Sequence, residues 1–471
     1  MERRTRAVLA TGLAALLTAC ATYKAEPLSP ANSAAALDAR TLDDPRLETF
    51  LEAAGLVRGK PQRVWTLETL TFAALYLHPD LPLADARLAV AQAAIRTAAQ
   101  RPNPTLNITP QYNATTLTPS PWTVGAAVNI LLETFGKRPI RIRQARELAE
   151  AARFDLGTTA WQVRGRVRAA MIDLWATRQR VEISGRRLDL QTQLVGFLER
   201  REAVGEASGL DVAREGVNRD QFSLALQDAR RDVADARAML ATAVGVPVRA
   251  LDEVALDLNA VATAAAPADT SERELRRRAL TGRTDIQSSL SQYAAAQSAL
   301  RLQIVSQYPN LTLGPGYQYD QGDNKFSLAA TVDLPILNQN QGPIAEAAAR
   351  RRQARASFTA LQAQVIGQID RGWTAYRSTS QSLAAADALI AQQRGRQART
   401  ADLFRAGQID HVTLLAGDLE LAATELGRLQ ALISQRQALG QIEDALQQPV
   451  FAPAVSIPST VSSRIDVEPV R

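Results

Sequence analysis

Few residues in this 471-residue chain are equipped for covalent or metal chemistry. There is one cysteine, Cys20, and there are two histidines, His78 and His411. A zinc site needs three or four Cys, His or acidic ligands at close spacing, and a lone Cys twenty residues from the start has no such company. Nucleophilic catalysis needs a nucleophile with a base within reach, and neither histidine has a Ser or Cys partner in a recognisable pattern. HExxH, P-loop, GxSxG and GxGxxG motifs are all missing. The expectation is therefore no enzyme, no resident metal and no cofactor. The question becomes why the cysteine sits where it does.

Cys20 ends an apolar run. Arg3, Arg4 and Arg6 form a basic start, and Ala7 to Ala19 are mostly Ala, Leu and Val. Thirteen residues are too few to span a bilayer and fit the core of a secretory signal peptide. The stretch "LTAC" resembles a bacterial lipobox, in which the Cys becomes the lipid-bearing first residue of the mature chain. Ala21 rather than Asp follows it, which by that resemblance favours delivery to the outer membrane. An ordinary signal peptide with an incidental Cys is the alternative. Residues 20–64, rich in Pro, Ser and Ala, read as a lipidated N-terminal strap. Loss of residues 1–19 lowers the net charge from +6 to about +4, which is no nucleic-acid signature. No stretch of 18 consecutive apolar residues predicts a transmembrane helix.

The rest of the chain is duplicated. Asp80-Leu81 corresponds to Asp285-Ile286, and Pro104 to Pro309, at an offset of 205. Pro139-Ile140 matches Pro343-Ile344 at 204; Gly205 and Gly407, like Pro247 and Pro449, match at 202. Landmarks in one order with so little drift indicate two repeats, 65–250 and 282–450, joined by a linker and short helix over 251–281. A tail, 451–471, follows.

Each repeat holds a strand pair, expected near 104–114 and 121–132, then near 309–319 and 325–336. Leu106, Ile108, Tyr112, Trp122, Val124, Val128 and Ile130 alternate with Thr105, Asn107, Thr109, Gln111, Thr123, Gly125 and Asn129. The second repeat alternates in the same way, with Leu311, Leu313, Tyr317, Tyr319, Phe326, Leu328 and Val332 on one face. Period-two patterning over about ten residues suits transmembrane β-strands, and a half-buried soluble sheet would alternate identically.

Each repeat also holds a proline-free stretch rich in Ala, Leu, Arg, Gln and Glu, broken once at glycine. These predict helical hairpins over 139–246 and 343–448, whose outgoing arms of about 65 residues reach roughly 98 Å. Each shorter return arm, stacked on the helix before the strands, would make an antiparallel rod of similar length. Leu415, Leu419, Ala422, Leu426, Leu429 and Ile433 recur at coiled-coil spacing along the last arm. Four strands cannot close a barrel, and open edges are not tolerated in lipid, so closure requires several copies.

The lipobox, the duplicated strand–strand–hairpin pattern and the paired Gly turns resemble the TolC-type outer-membrane efflux factors. The resemblance runs from about Trp65 to Pro449. It implies a fold that is mainly α with transmembrane β: four strands per protomer of a homotrimeric 12-stranded β-barrel, continued by a 12-helix periplasmic α-barrel. It implies partners too, namely a periplasmic adaptor (membrane fusion protein) and an inner-membrane pump of RND type. "LPILNQNQGPIAEA" and "PNPTLNITPQYN" are most similar to the outer-membrane components of cobalt–zinc–cadmium efflux pumps.

In that family the hairpin turns form the periplasmic gate. The resemblance makes Gly205, Asp211, Gly407, Asp410, His411 and Thr413 tip candidates. Asp211, six residues after Gly205, matches a family tip aspartate, whereas its second-repeat counterpart is Thr413, with Asp410, His411 and Asp418 close by. Asp211 could instead be a plain helix N-cap, and His411 an exposed tip residue. The basic residues of "ETFGKRPIR" are expected to be solvated. A lipid-anchored periplasmic scaffold without a channel and a type I protein-secretion conduit are the competing functions.

Overall fold

The computed structural model describes residues 23–56, 64–115, 120–252, 254–259 and 271–450. Cys20 and the lipobox lie outside them, as does the tail beyond residue 450. The segment expected as a plain strap is partly helical: α1 spans Pro30–Asp38 and α2 spans Pro45–Ala53. Leu47 and Leu51 bury the inner face of α2, and Phe50 sits against Phe72 and Tyr76 of α3, Leu67–Leu77. Val64–Trp65 (β1) pairs in parallel with Ala255–Leu256 (β4), so the linker between the repeats is tied to the start of repeat one.

From α3 the chain follows the duplicated plan. Helix α4 (Asp80–Ala99) leads to strands β2 (Thr105–Tyr112) and β3 (Trp122–Leu132). Next come α5 (Lys137–Ala203) and α6 (Gly209–Val244). Repeat two has α7 (Glu272–Gly282), α8 (Thr284–Val305), β5 (Leu311–Asp320), β6 (Asp323–Val332), α9 (Gln341–Arg405) and α10 (His411–Leu446). The outgoing arms have 67 and 65 residues and both return arms have 36.

The shorter helices stack into rods. At the end of α10, Gln447 adopts positive φ and its side-chain oxygen accepts from the backbone N–H and hydroxyl of Thr284, which opens α8. In repeat one, Gly245 takes the corresponding left-handed position at the end of α6. A Cβ there would lie 2.8 Å from His78 Cα, so only glycine allows the return arm to approach α3 and α4 this closely. His78 ends α3 and is buried. Burial, with help from Arg166 and Arg40, pushes its imidazole below the usual histidine range despite Asp80.

The rods lie side by side. α5 packs on α4 and α6 on one side and on α8 and α10 on the other, while α9 packs on α8, α10 and α7. The α10 seam closes within the chain: Leu415, Ala422, Leu429 and Ile433 are buried, and Leu426 packs against the core of repeat one. Where α5 crosses α10, Glu443 accepts from both Arg164 and Arg168 at 2.8 Å, all three side chains being buried. Burial opposes the Glu443 charge, but the two guanidiniums outweigh it and hold the carboxyl below its usual range. The backbone N–H of Val450 donates to the other oxygen of Glu443, which fixes the chain after α10.

Candidate functional site at the sheet face and the hairpin turns

The four long strands form one antiparallel sheet in the order β2-β3-β5-β6. Its register places Leu106 opposite Val128, Ile130 opposite Leu313 and Tyr317 opposite Phe326, so both repeats contribute to a single apolar face. That face is uncovered: Leu106 and Ile108 are 61% and 62% exposed, and Phe326 and Leu328 reach 83% and 73%. The other face carries small and polar residues in close contact. A Cβ on Gly125 would meet Thr109 Oγ1, one on Gly314 would meet Asn129, and one on Gly316 would meet Ser327 and Ala127. A soluble sheet hides its apolar face, whereas this one leaves it uncovered, as a sheet facing lipid would. Tyr112 packs edge-on to Trp122 at one end of the sheet.

Strand β6 ends at Val332, short of the expected 336. Pro335 has no N–H for the ladder, and Leu334, Ile336 and Leu337 are left exposed beyond the strand. The other strand–helix junction departs from expectation as well. Lys137 is buried rather than solvated, its ammonium donating to Tyr308 O and to Asn310 Oδ1 at 2.7 Å, and Arg138 Nε donates to Ala99 O.

At the far end of the helices, Gly205 and Gly407 have φ of +81° and +71°. In both turns the residue after the glycine donates back to the helix, Glu206 N–H to Arg201 O and Gln408 N–H to Leu403 O. The next helix is then capped by a hydroxyl–carboxylate pair. In repeat one Ser208 is the N-cap, accepting from Asp211 N–H, while its hydroxyl donates to Asp211 Oδ2. In repeat two Asp410 is the N-cap, accepting from the N–H and the hydroxyl of Thr413. The acid missing at Thr413 is thus present three residues earlier, with the two members of the pair exchanged. Asp211 itself is the third residue of its helix and not the cap.

The structure brings the two turns together. Arg201 Nη1 lies 3.3 Å from Asp410 Oδ2. His411 is not an exposed tip residue: it stacks on Phe197 of repeat one at 5.4 Å and meets Phe404 edge-on at 5.3 Å. Its Nδ1 is buried there, with no hydrogen-bond partner among the described residues. Asp418 stands further along α10, accepting from Gln397. Arg201, Phe197 and Phe404 were not among the tip candidates, because only the packing of one hairpin on the other reveals them. Among the described residues, no group of three His, Cys, Asp or Glu side chains is placed to hold a metal ion.

Comparison with known proteins agrees with this geometry. Residues 71–246 match the family model described as outer membrane efflux protein. The pyoverdine export outer membrane protein OpmQ of Pseudomonas aeruginosa is 26% identical over 421 residues, covering 79% of this chain and 85% of its own. The cobalt-zinc-cadmium resistance protein CzcC of Cupriavidus metallidurans is 24% identical over 326 residues, covering 68% and 76%. Among solved structures, the outer membrane protein VceC of Vibrio cholerae superposes with a TM-score of 0.66 at 18% identity, over 81% of this chain and 95% of that one. With its duplicated strand pairs, long hairpins and paired turns, the chain is similar to the outer membrane efflux proteins, whose family model it matches over residues 71–246, in line with the TolC-type resemblance in its sequence.

Proposed function

We infer that this protein is the outer-membrane channel of a tripartite efflux system. The observation that carries the reading is the four-stranded sheet, with one apolar, uncovered face, one face of small and polar residues, and two edges unpaired among the described residues. Edges in lipid must pair, and the smallest closed barrels have eight strands. A homotrimer gives twelve strands and leaves a water-filled lumen. The helical rods then continue the wall into the periplasm for roughly 100 Å. In this proposal a periplasmic adaptor docks on the helix turns and an inner-membrane pump of the RND type supplies the energy. The channel performs no catalysis. Cys20, as a diacylglyceryl thioether with an amide-linked acyl chain such as palmitate, tethers each protomer to the periplasmic leaflet.

Cargo belongs to the pump more than to this wall. The two relatives are named for pyoverdine export and for cobalt, zinc and cadmium resistance, so both an organic solute and a metal cation fit a lumen of this kind. Reconstitution of the purified protein into planar bilayers tests the reading. A channel gives discrete conductance steps and a heat-modifiable trimer in SDS. A lipid-anchored scaffold gives neither, and that result would overturn the proposal.

A further inference from the structure

Three glycines let the end of α10 sink into the layer of long helices. A Cβ on Gly165 of α5 would lie 2.7 Å from Asp444 Oδ1, and one on Gly372 of α9 would lie 3.2 Å from Ile442. One on Gly440 of α10 would meet the Arg168 guanidinium at 2.9 Å. With no side chains at these points α10 settles between α5 and α9, and a depression of about 1000 Å³ opens above it. Its floor is the joint between α10 and α8, where Gln447 and Arg283 are buried. Trp161, Gln162 and Arg166 of α5 form one wall, and Gln364, Gln368 and Arg371 of α9 form the other. All of this lining comes from one chain, and the volume is at the upper end of the roughly 300–1,000 Å³ usual for small-molecule sites.

The charged groups of the depression differ in how far they are committed. Arg283 donates to both oxygens of Asp285, to Gln368 and to Ala445 O, so its donors are used within the floor. Asp444 accepts from Arg168 at 2.6 Å, and Arg166 donates to Asp80 at the same distance. Asp285 and Asp444, the two carboxylates of the lining, therefore each face a guanidinium already. Arg371 is exposed and has no hydrogen-bond or ion-pair partner among the described residues, and neither have the exposed amides of Gln162, Gln364 and Gln441. What stays uncommitted is one planar cation with five N–H donors, accompanied by amides that both donate and accept. That set suits a carboxylate carried on a polar organic molecule. A cationic solute would find no uncommitted acid.

The depression also has a direction. On α5 its lining lies on the stripe opposite Val163, Val167, Met171 and Leu174, which bury into the core shared with α3. On α9 it adjoins Val365 and Ile369, which pack with Leu275 and Ala279 of α7. It thus opens away from α3 and α7. In a closed tube those short helices have to lie outside, since on the inside they would obstruct the path. We propose that the depression faces the lumen and is a transient binding site for carboxylate-bearing organic solutes, with Arg371 holding the carboxylate and Gln162, Gln364 and Gln441 bonding the remaining polar groups. The direction rests on the channel reading above, and the site itself does not. An open, polar site binds weakly enough for a passing solute to enter and leave.

Calorimetric titration of citrate into the detergent-solubilised full chain tests the site, and citrate added to planar bilayers tests its direction. Citrate is expected to bind and to reduce the current. Arg371→Gln should weaken both effects about tenfold, the loss of one charge-assisted hydrogen bond. Ala169→Phe fills the depression from an exposed position on α5 without altering charge, and should weaken both as well. Sulfate separates an organic-acid site from plain attraction of anions. It should bind more weakly than citrate and be indifferent to Gln364→Ala with Gln441→Ala, a pair that weakens citrate. Citrate binding that is unchanged in Arg371→Gln and Ala169→Phe, sulfate binding as tight as citrate, or spermidine bound in preference to citrate would each overturn the site. Calorimetric binding with no effect on an open current would overturn its direction toward the lumen. Protein that never conducts would overturn the channel reading instead, and calorimetry would still decide the site.

Discussion

Arg201 of the first hairpin lies 3.3 Å from Asp410 of the second, and Asp410 is at the same time the residue that caps α10. One carboxylate therefore holds a helix start and ties the two turns together. Asp410→Asn keeps a capping oxygen while removing the charge, whereas Asp410→Ala removes both. Loss of an N-cap costs about 1 kcal/mol. Both variants are expected to raise single-channel conductance in planar bilayers, and only Asp410→Ala should also lower thermal stability. Hydrogen bonds from the Thr413 hydroxyl and N–H, with Arg201 nearby, hold the Asp410 carboxyl below its usual range. The link should therefore persist as pH falls from 7 to about 5 and weaken only below the ordinary carboxylate range. Conductance that rises already near pH 6 would show that another group controls the turns.

The exchanged pair in repeat one makes a separate prediction. Asp211 sits in the first turn of α6, bonded to Ser208 and 3.7 Å from Arg214. Asp211→Lys removes the favourable helix-terminal charge and places a cation against an arginine, an effect worth about 1 kcal/mol locally. The trimer should still assemble, because the change is confined to the tip, but its leak conductance should differ from that of the unaltered channel. Identical conductance would remove Asp211 from any account of the gate.

Much of this architecture was legible from residue order. Proline-free runs rich in helix formers gave the hairpins, and Gly205 and Gly407 gave the turns, since only the left-handed region closes such a bend cheaply. The acid at the second tip was harder to place. Fixed spacing from the glycine leads to Thr413, yet capping physics lets the carboxylate occupy either the N-cap or the third position of the helix, and Asp410 occupies the former. The burial of Lys137 is hidden from the sequence for a different reason. Its partners, Tyr308 and Asn310, lie more than 170 residues away and belong to the other repeat, and no local pattern announces a contact between repeats. Alternation continues through Leu334 and Ile336, but Pro335 between them cannot join the ladder, and β6 ends at Val332.

The buried Glu443 should be the least replaceable carboxylate among the described residues. Glu443→Ala leaves Arg164 and Arg168 charged, buried and short of a partner, for which removal of one member of a buried pair costs about 3–5 kcal/mol. Because the folded carboxyl titrates below its unfolded value, this contribution is complete above the ordinary glutamate range and is lost as pH falls through the depressed folded value. Urea unfolding of Glu443→Ala near neutral pH should show the full loss, and at acidic pH the variant and the unaltered protein should converge. A small, pH-independent difference would contradict the pairing.

Cys20→Ser tests the anchor separately from the pore. The variant should lose the mass of the acyl chains in intact-protein mass spectrometry and fractionate less completely with the outer membrane. Trimer that does form should conduct normally, since the wall is built from residues far along the chain. An unmodified Cys20 in the mature protein would overturn the lipidation reading without touching the channel.

Two adjacent residues at the middle of β6 decide which side of the sheet meets lipid. Leu328 lies opposite Pro315 on the apolar face, and Ser327 lies opposite Gly316 on the small-residue face. Arginine on the lipid face near mid-membrane costs about 2–4 kcal/mol, multiplied by three in a symmetric trimer, whereas a lumen position keeps the guanidinium in water. Leu328→Arg is therefore expected to abolish or sharply reduce the heat-modifiable trimer. Ser327→Arg should leave it assembled with a narrower pore, read as lower conductance. The reverse outcome would put the polar face outward, which a soluble scaffold could accommodate and a membrane channel could not.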